Sequence, residues 1–131
     1  MRNIPILLAA VLAGSCSTTP PPPDPAVAAR LQQLIAGKVA GEPLHCLQTY
    51  RSNDMVAIDT STLVFRDGGR VYVNRLRDPC PQLTNPSYTL ITRQFGGTGL
   101  CSGQIAEVAN LQTGMIAGSC VIGEFIPYTR P

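Results

Sequence analysis

Hydrophobic and polar positions follow three regimes along this chain. Ile4 to Ala13 is a short apolar run broken only by Pro5 and preceded by Arg2. Further on, Val27, Leu31, Leu34 and Ile35 recur at the spacing of an amphipathic helix face. Asp24 is placed to cap that helix and Pro25 to occupy its first position, while Gly37 stops it. Its apolar stripe predicts packing against the protein's own sheet. From Met55 onward the pattern changes to short strands. Thr62-Leu63-Val64-Phe65-Arg66 and Arg70-Val71-Tyr72-Val73-Asn74 flank Asp67-Gly68-Gly69, a hairpin signal. A two-residue Gly68-Gly69 turn sets Phe65 opposite Tyr72 and Val64 opposite Val73, each pair marking one face. Residues 88–92, 104–108 and 120–126 read as further strands. One helix followed by many short strands with Gly-rich connections predicts a mainly β fold, a small antiparallel β-barrel or sandwich.

The opening run is too short to span a ~30 Å hydrocarbon core and fits the apolar region of an export signal over residues 1–15. Leu12-Ala13-Gly14-Ser15-Cys16 resembles a lipoprotein signal, in which Cys16 is lipidated (palmitate among its acyl chains) and becomes the N-terminus. Ala13 stands where such signals usually carry Leu, and Ala13-x-Ser15 also suits ordinary signal cleavage. Ser17 after the Cys resembles the outer-membrane sorting pattern. Residues 16–24 then form the lipidated Cys and a tether. Five of the twelve prolines lie in residues 17–25, favouring an extended polyproline spacer. Residues 25–131 are the single folded domain, since 131 residues leave room for one.

Charge excludes one class of partner. Ten Lys+Arg against eight Asp+Glu give +2, and loss of Arg2 leaves nine against eight. So neutral a chain has no electrostatic footprint for nucleic acid, and its membrane attachment would come from the lipid on Cys16.

Five cysteines define the covalent chemistry. With Cys16 assigned to lipid, Cys46, Cys80, Cys101 and Cys120 form an even set suited to an oxidising compartment. Their wide spacing lacks the close pairs of a zinc site, so neither a metal nor any other cofactor is expected. Two disulfides are the natural reading, with three possible connectivities. The preferred one joins Cys46 to Cys120, tying the start of the domain to its last strand, and Cys80 to Cys101. His45 beside Cys46 is the only His–Cys neighbour pair. Adjacent residues of an extended segment point to opposite faces, which argues against a thiol nucleophile.

Other candidates for chemistry are sparse. Asp54, Asp59, Asp67, Asp78, Glu107 and Glu124 are scattered, and surface or turn roles suit them better than a hydrolytic pair. Gly96-Gly97-Thr98-Gly99 lacks the Lys and helix of a phosphate loop and reads as a turn. No catalytic residue is assigned. The densest polar feature is the series Arg51, Arg66, Arg70, Arg75 and Arg77. Guanidiniums so concentrated are able to hold carboxylate or phosphate by paired hydrogen bonds. The plainer alternative pairs them with Asp54, Asp67 and Asp78. Arg66, Arg70, Arg75 and Arg77, on and beside the hairpin 63–74, are the candidate partner surface.

The string Thr62-Leu63-Val64-Phe65-Arg66-Asp67-Gly68-Gly69-Arg70-Val71-Tyr72-Val73-Asn74-Arg75-Leu76, with Arg51-Ser52 before it and Cys80-Pro81-Gln82-Leu83 after it, resembles a family of small exported proteobacterial proteins of unknown function. Cys46-Leu47, Leu100-Cys101 and Cys120 extend the likeness over residues 46–126. It implies an envelope location and a disulfide-stapled fold, and no catalytic residues. The expected function is a lipid-anchored periplasmic binding or structural module of the outer membrane, with another envelope protein or the cell wall as partner. Alternatives are an inhibitor of a wall-cleaving or proteolytic enzyme, presenting Arg77-Asp78-Pro79-Cys80-Pro81, and a small periplasmic hydrolase.

Overall fold

The structure is a computed structural model that describes Gly14 and residues 24–48, 54–93 and 99–131. The export signal apart from Gly14, Cys16, the tether up to residue 23, Arg51 and Gly96-Gly97-Thr98 lie outside the described residues.

The helix forms where its signals stand. α1 spans Pro25–Ile35, and the Asp24 carboxylate accepts the Ala26 N–H at 2.8 Å. Pro25 fills the first helical position, where no intrahelical donor is needed. Beyond the helix, Gly37 takes φ +72° and the Lys38 N–H returns to the Ile35 carbonyl. Val27, Leu31, Leu34 and Ile35 are half-buried against Ile58, Val64, Val71 and Val73. None of the described helices is long and apolar enough to cross a membrane.

Ten strands follow. β1 is Val39–Ala40, β2 Cys46–Leu47, β3 Met55–Asp59, β4 Thr62–Asp67 and β5 Arg70–Arg75. β6 is Tyr88–Ile91, β7 Leu100–Cys101, β8 Ile105–Asn110, β9 Ile116–Val121 and β10 Phe125–Thr129. They make a five-stranded sheet in the order β1-β10-β5-β4-β3, a three-stranded sheet β6-β8-β9 and a two-stranded ribbon β2-β7. All pairings are antiparallel. Among the described residues no barrel closes.

The central hairpin has the expected register, with Phe65 opposite Tyr72, Val64 opposite Val73, and Asp67 and Arg70 closing the turn. Gly68 there takes φ +58°, a conformation that costs glycine little. Period-two alternation gives β4 and β5 two buried faces. Val64, Val71 and Val73 lie under α1. Leu63, Phe65 and Tyr72 turn the other way and join Leu100, Ala106, Val108, Ile122 and Phe125 in the main core. Phe65 and Phe125 meet there with ring centroids 5.6 Å apart.

The strand expected over 120–126 is two strands. β9 ends at Val121 in the three-stranded sheet, and β10 starts at Phe125 in the five-stranded one. The chain changes sheet at Ile122-Gly123-Glu124. Asn74, fully buried, fixes this crossing. Its side-chain amide donates to the Gly123 carbonyl at 2.9 Å and accepts the Gly123 N–H at 2.9 Å. One side chain thus supplies what a neighbouring strand would have supplied.

The disulfide pairing differs from the expected one. Cys46 is bonded to Cys101 and Cys80 to Cys120. Residues 41–44 do run beside the last strand, because Gly41 donates to Pro127 and Leu44 exchanges backbone bonds with Phe125. Two residues later the chain has left β10, and Cys46 sits directly across from Cys101 in the β2-β7 pair. Cys80 follows the Asp78–Val121 bridge, which delivers it to Cys120.

Candidate functional site

The arginine series does not gather into one patch. Arg66 and Arg70 stand at the turn end of the β4-β5 hairpin, and Arg75 and Arg77 at or beyond its other end. Five residues of strand, about 16 Å, separate Arg70 from Arg75. The hairpin is also interior to the five-stranded sheet and covered on both faces, so its middle is core and not surface. The expected pairing with neighbouring aspartates is absent for these four arginines among the described residues. Arg77 donates instead to the Ser102 hydroxyl at 2.9 Å.

Arg75 and Arg77 converge on one feature, a recess of about 330 Å³ lined also by Gly123, Glu124 and Ile126. Its floor is the sheet crossing. A Cβ on Gly123 would run into the Arg75 carbonyl, so the backbones of β5 and of residue 123 touch as only glycine allows. The Arg77 N–H donates to the Val121 carbonyl and the Leu76 N–H to Ser61. Ser102, itself buried, is set by its N–H bonding the His45 carbonyl next to the Cys46–Cys101 bridge. Both guanidiniums therefore rise from a backbone fixed on several sides.

Other hollows lie elsewhere on the described residues. One, about 440 Å³, is lined by Ile91, Arg93, Gly103, Gln104, Ile105 and Glu107. Another, about 210 Å³, is the seam between α1 and the strands below it. The first is lined by no Ser, Thr, Cys or His, and the second brings Asp59 and Thr62, register partners of β3 and β4, to its wall. Cys46 has no thiol to activate, since its sulfur is bonded to Cys101, and His45 is exposed. Asp59 caps its own turn by accepting the Ser61 N–H at 2.8 Å. Among the described residues no three His, Cys, Asp or Glu side chains come together to hold a metal.

Asn74, Ser102, Gly123 and Glu124 were not among the residues the sequence singled out for the arginines. Asn74 lies 49 positions from Gly123 and Arg77 lies 25 from Ser102, so no local pattern announces either contact. No protein-family model, no curated protein and no solved structure matches the chain.

Proposed function

We propose that the protein is a lipid-anchored binding or structural module of the bacterial envelope, held at the outer membrane through Cys16. The observation that carries this reading is the pairing of Cys46 with Cys101 and of Cys80 with Cys120. It uses four of the five cysteines and leaves Cys16 as the sulfur for a thioether. Two disulfides suit an oxidising compartment, and the envelope location implied by the resemblance around residues 62–83 agrees. A Pro-rich spacer of residues 17–23, ending at the Asp24 cap of α1, would extend ~3.1 Å per residue and hold the domain about 20 Å from the bilayer. The two larger sheets, with the main core between them, are read as a sandwich. The end of the domain bearing Arg75 and Arg77 is the surface offered to another envelope protein or to the wall.

Intact mass of the protein from its own membrane fraction tests the reading. A diacyl- or triacyl-sized addition on a chain starting at Cys16, with four thiols appearing only on reduction, is the expected result. An unmodified chain, or free thiols before reduction, overturns it.

One observation favours the second reading, an inhibitor. Arg77, Asp78, Pro79 and Pro81 are exposed around the buried Cys80, and a disulfide and the Asp78–Val121 bridge hold this exposed segment in place. Rigid loops lose little freedom on entering an active site. Inhibition of wall-cleaving or proteolytic activity in envelope extracts, lost on changing Asp78 and Pro79 to Gly, is its test.

A further inference from the structure

We infer that the recess between Arg75 and Arg77 is a binding site for a small zwitterion with the chemistry of a free peptide terminus, its carboxylate on the two guanidiniums and its ammonium on Glu124. This deepens the reading of the protein as a binding module; it does not depend on the lipid.

The charges set the ligand class. Arg75 and Arg77 line the recess without an ion pair among the described residues, and Glu124 lines it with them. A planar guanidinium presents several N–H donors in fixed geometry, and a carboxylate is the acceptor that matches two of them at once. Ser102 takes one N–H of Arg77 and so holds the fork in place while its other donors stay free. Glu124 decides against a compact dianion such as phosphate, which would meet one repulsive carboxylate for every two cations. A carboxylate with a nearby ammonium satisfies all three side chains and enters with no net charge. Ile126 adds an apolar wall against which a small aliphatic side chain rests.

Size and rigidity agree. About 330 Å³ is at the small end of ligand sites, room for one or two amino-acid residues. The floor moves little, because Asn74 clamps Gly123 by two hydrogen bonds in the core and Gly123 abuts the Arg75 backbone. A preorganised floor reduces the ordering cost of binding. The arginines are exposed, so water competes for them, and affinity on the order of 1 mM is expected.

The test titrates alanyl-alanine, N-acetyl-alanyl-alanine and inorganic phosphate into the ¹⁵N-labelled mature chain at low salt, following backbone amides by NMR. The free dipeptide is expected to shift the Arg77, Gly123 and Glu124 amides in a saturable way. N-acetylation is expected to weaken binding about tenfold, and phosphate to bind less well than the dipeptide. Arg77→Lys keeps the charge but loses the fork and should weaken binding about tenfold with an otherwise unchanged spectrum. Glu124→Gln should bind free and acetylated dipeptides alike. Absence of site-confined shifts, equal binding of the acetylated form by the unaltered chain, or stronger binding of phosphate each overturns the inference, as does undiminished binding by folded Arg77→Lys. The lipidation measurement reads a different part of the chain, so either result can fail without the other.

Discussion

At the scale of single residues the side chain of Asn74 has the widest consequence. It is the last residue of the predicted strand Arg70-Val71-Tyr72-Val73-Asn74. In the fold it has no exposed surface, and both ends of its amide are bonded to Gly123. Replacing it with Ala or Leu removes two hydrogen bonds and leaves a buried N–H and a buried C=O unpaired. Each orphan costs about 1–3 kcal/mol, so we expect Asn74→Leu to lower unfolding stability by roughly 2–4 kcal/mol in urea titration. Gly123→Ala should destabilise for a different reason, collision of the new methyl with the Arg75 carbonyl. Both changes break one contact, so the double variant should fall short of the summed losses. The sequence contains Asn74 and Gly123 in plain view, yet their 49-residue separation hides the pair. A clamp between a strand and the crossing that links two sheets has no period to detect.

At the scale of elements the balance reverses. α1 and the β4-β5 hairpin were legible because each is specified locally, by a cap and a 3.6-residue stripe in one and by a two-glycine turn and period-two alternation in the other. The three two-residue strands β1, β2 and β7 are too short to carry any period. The run 120–126 misled because Ile122, inside the crossing, is as fully buried as Cys120 and Phe125 in the strands before and after it. What ends the strand is the Gly123 backbone leaving one sheet for another. α1 contributes no fully buried residue, yet its half-buried stripe covers Val64, Val71 and Val73. Its stability therefore depends heavily on its cap and on a few contacts. Asp24→Ala should cost about 1 kcal/mol through loss of the bond to the Ala26 N–H. Leu31→Asp, which sets a carboxylate against the valine layer, should cost more than the cap change, and circular dichroism melting of the two variants ranks them.

At the scale of the whole molecule the disulfides decide how the sheets are held together, and the sequence could count them but not connect them. The expected Cys46–Cys120 link followed from a sound premise, that the start of the domain meets its last strand; backbone bonds at Gly41 and Leu44 realise that meeting before Cys46 is reached. The observed bridges do different jobs. Cys80–Cys120 is fully buried in the main core and ties the segment leaving β5 to β9, across the two larger sheets. Cys46–Cys101 staples the two-stranded ribbon whose Leu47 and Leu100 join the main core, with Cys46 itself half-buried. Accessibility therefore predicts an order of reduction: under native conditions a mild thiol should open Cys46–Cys101 first, while Cys80–Cys120 opens only with unfolding. Quenched alkylation and peptide mass mapping would show a two-thiol species labelled at Cys46 and Cys101; labelling at Cys80 first would contradict the arrangement of the core. The bridges span 55 and 40 residues, so deleting either releases a long loop into the unfolded ensemble and should cost ~2–4 kcal/mol. Loss of the core bridge also leaves two cavity-lining side chains between the sheets. Cys80→Ala with Cys120→Ala should therefore fall further in stability than Cys46→Ala with Cys101→Ala, although its loop is the shorter one. The reverse order would mean that loop length, and not core packing, governs how this domain is stapled.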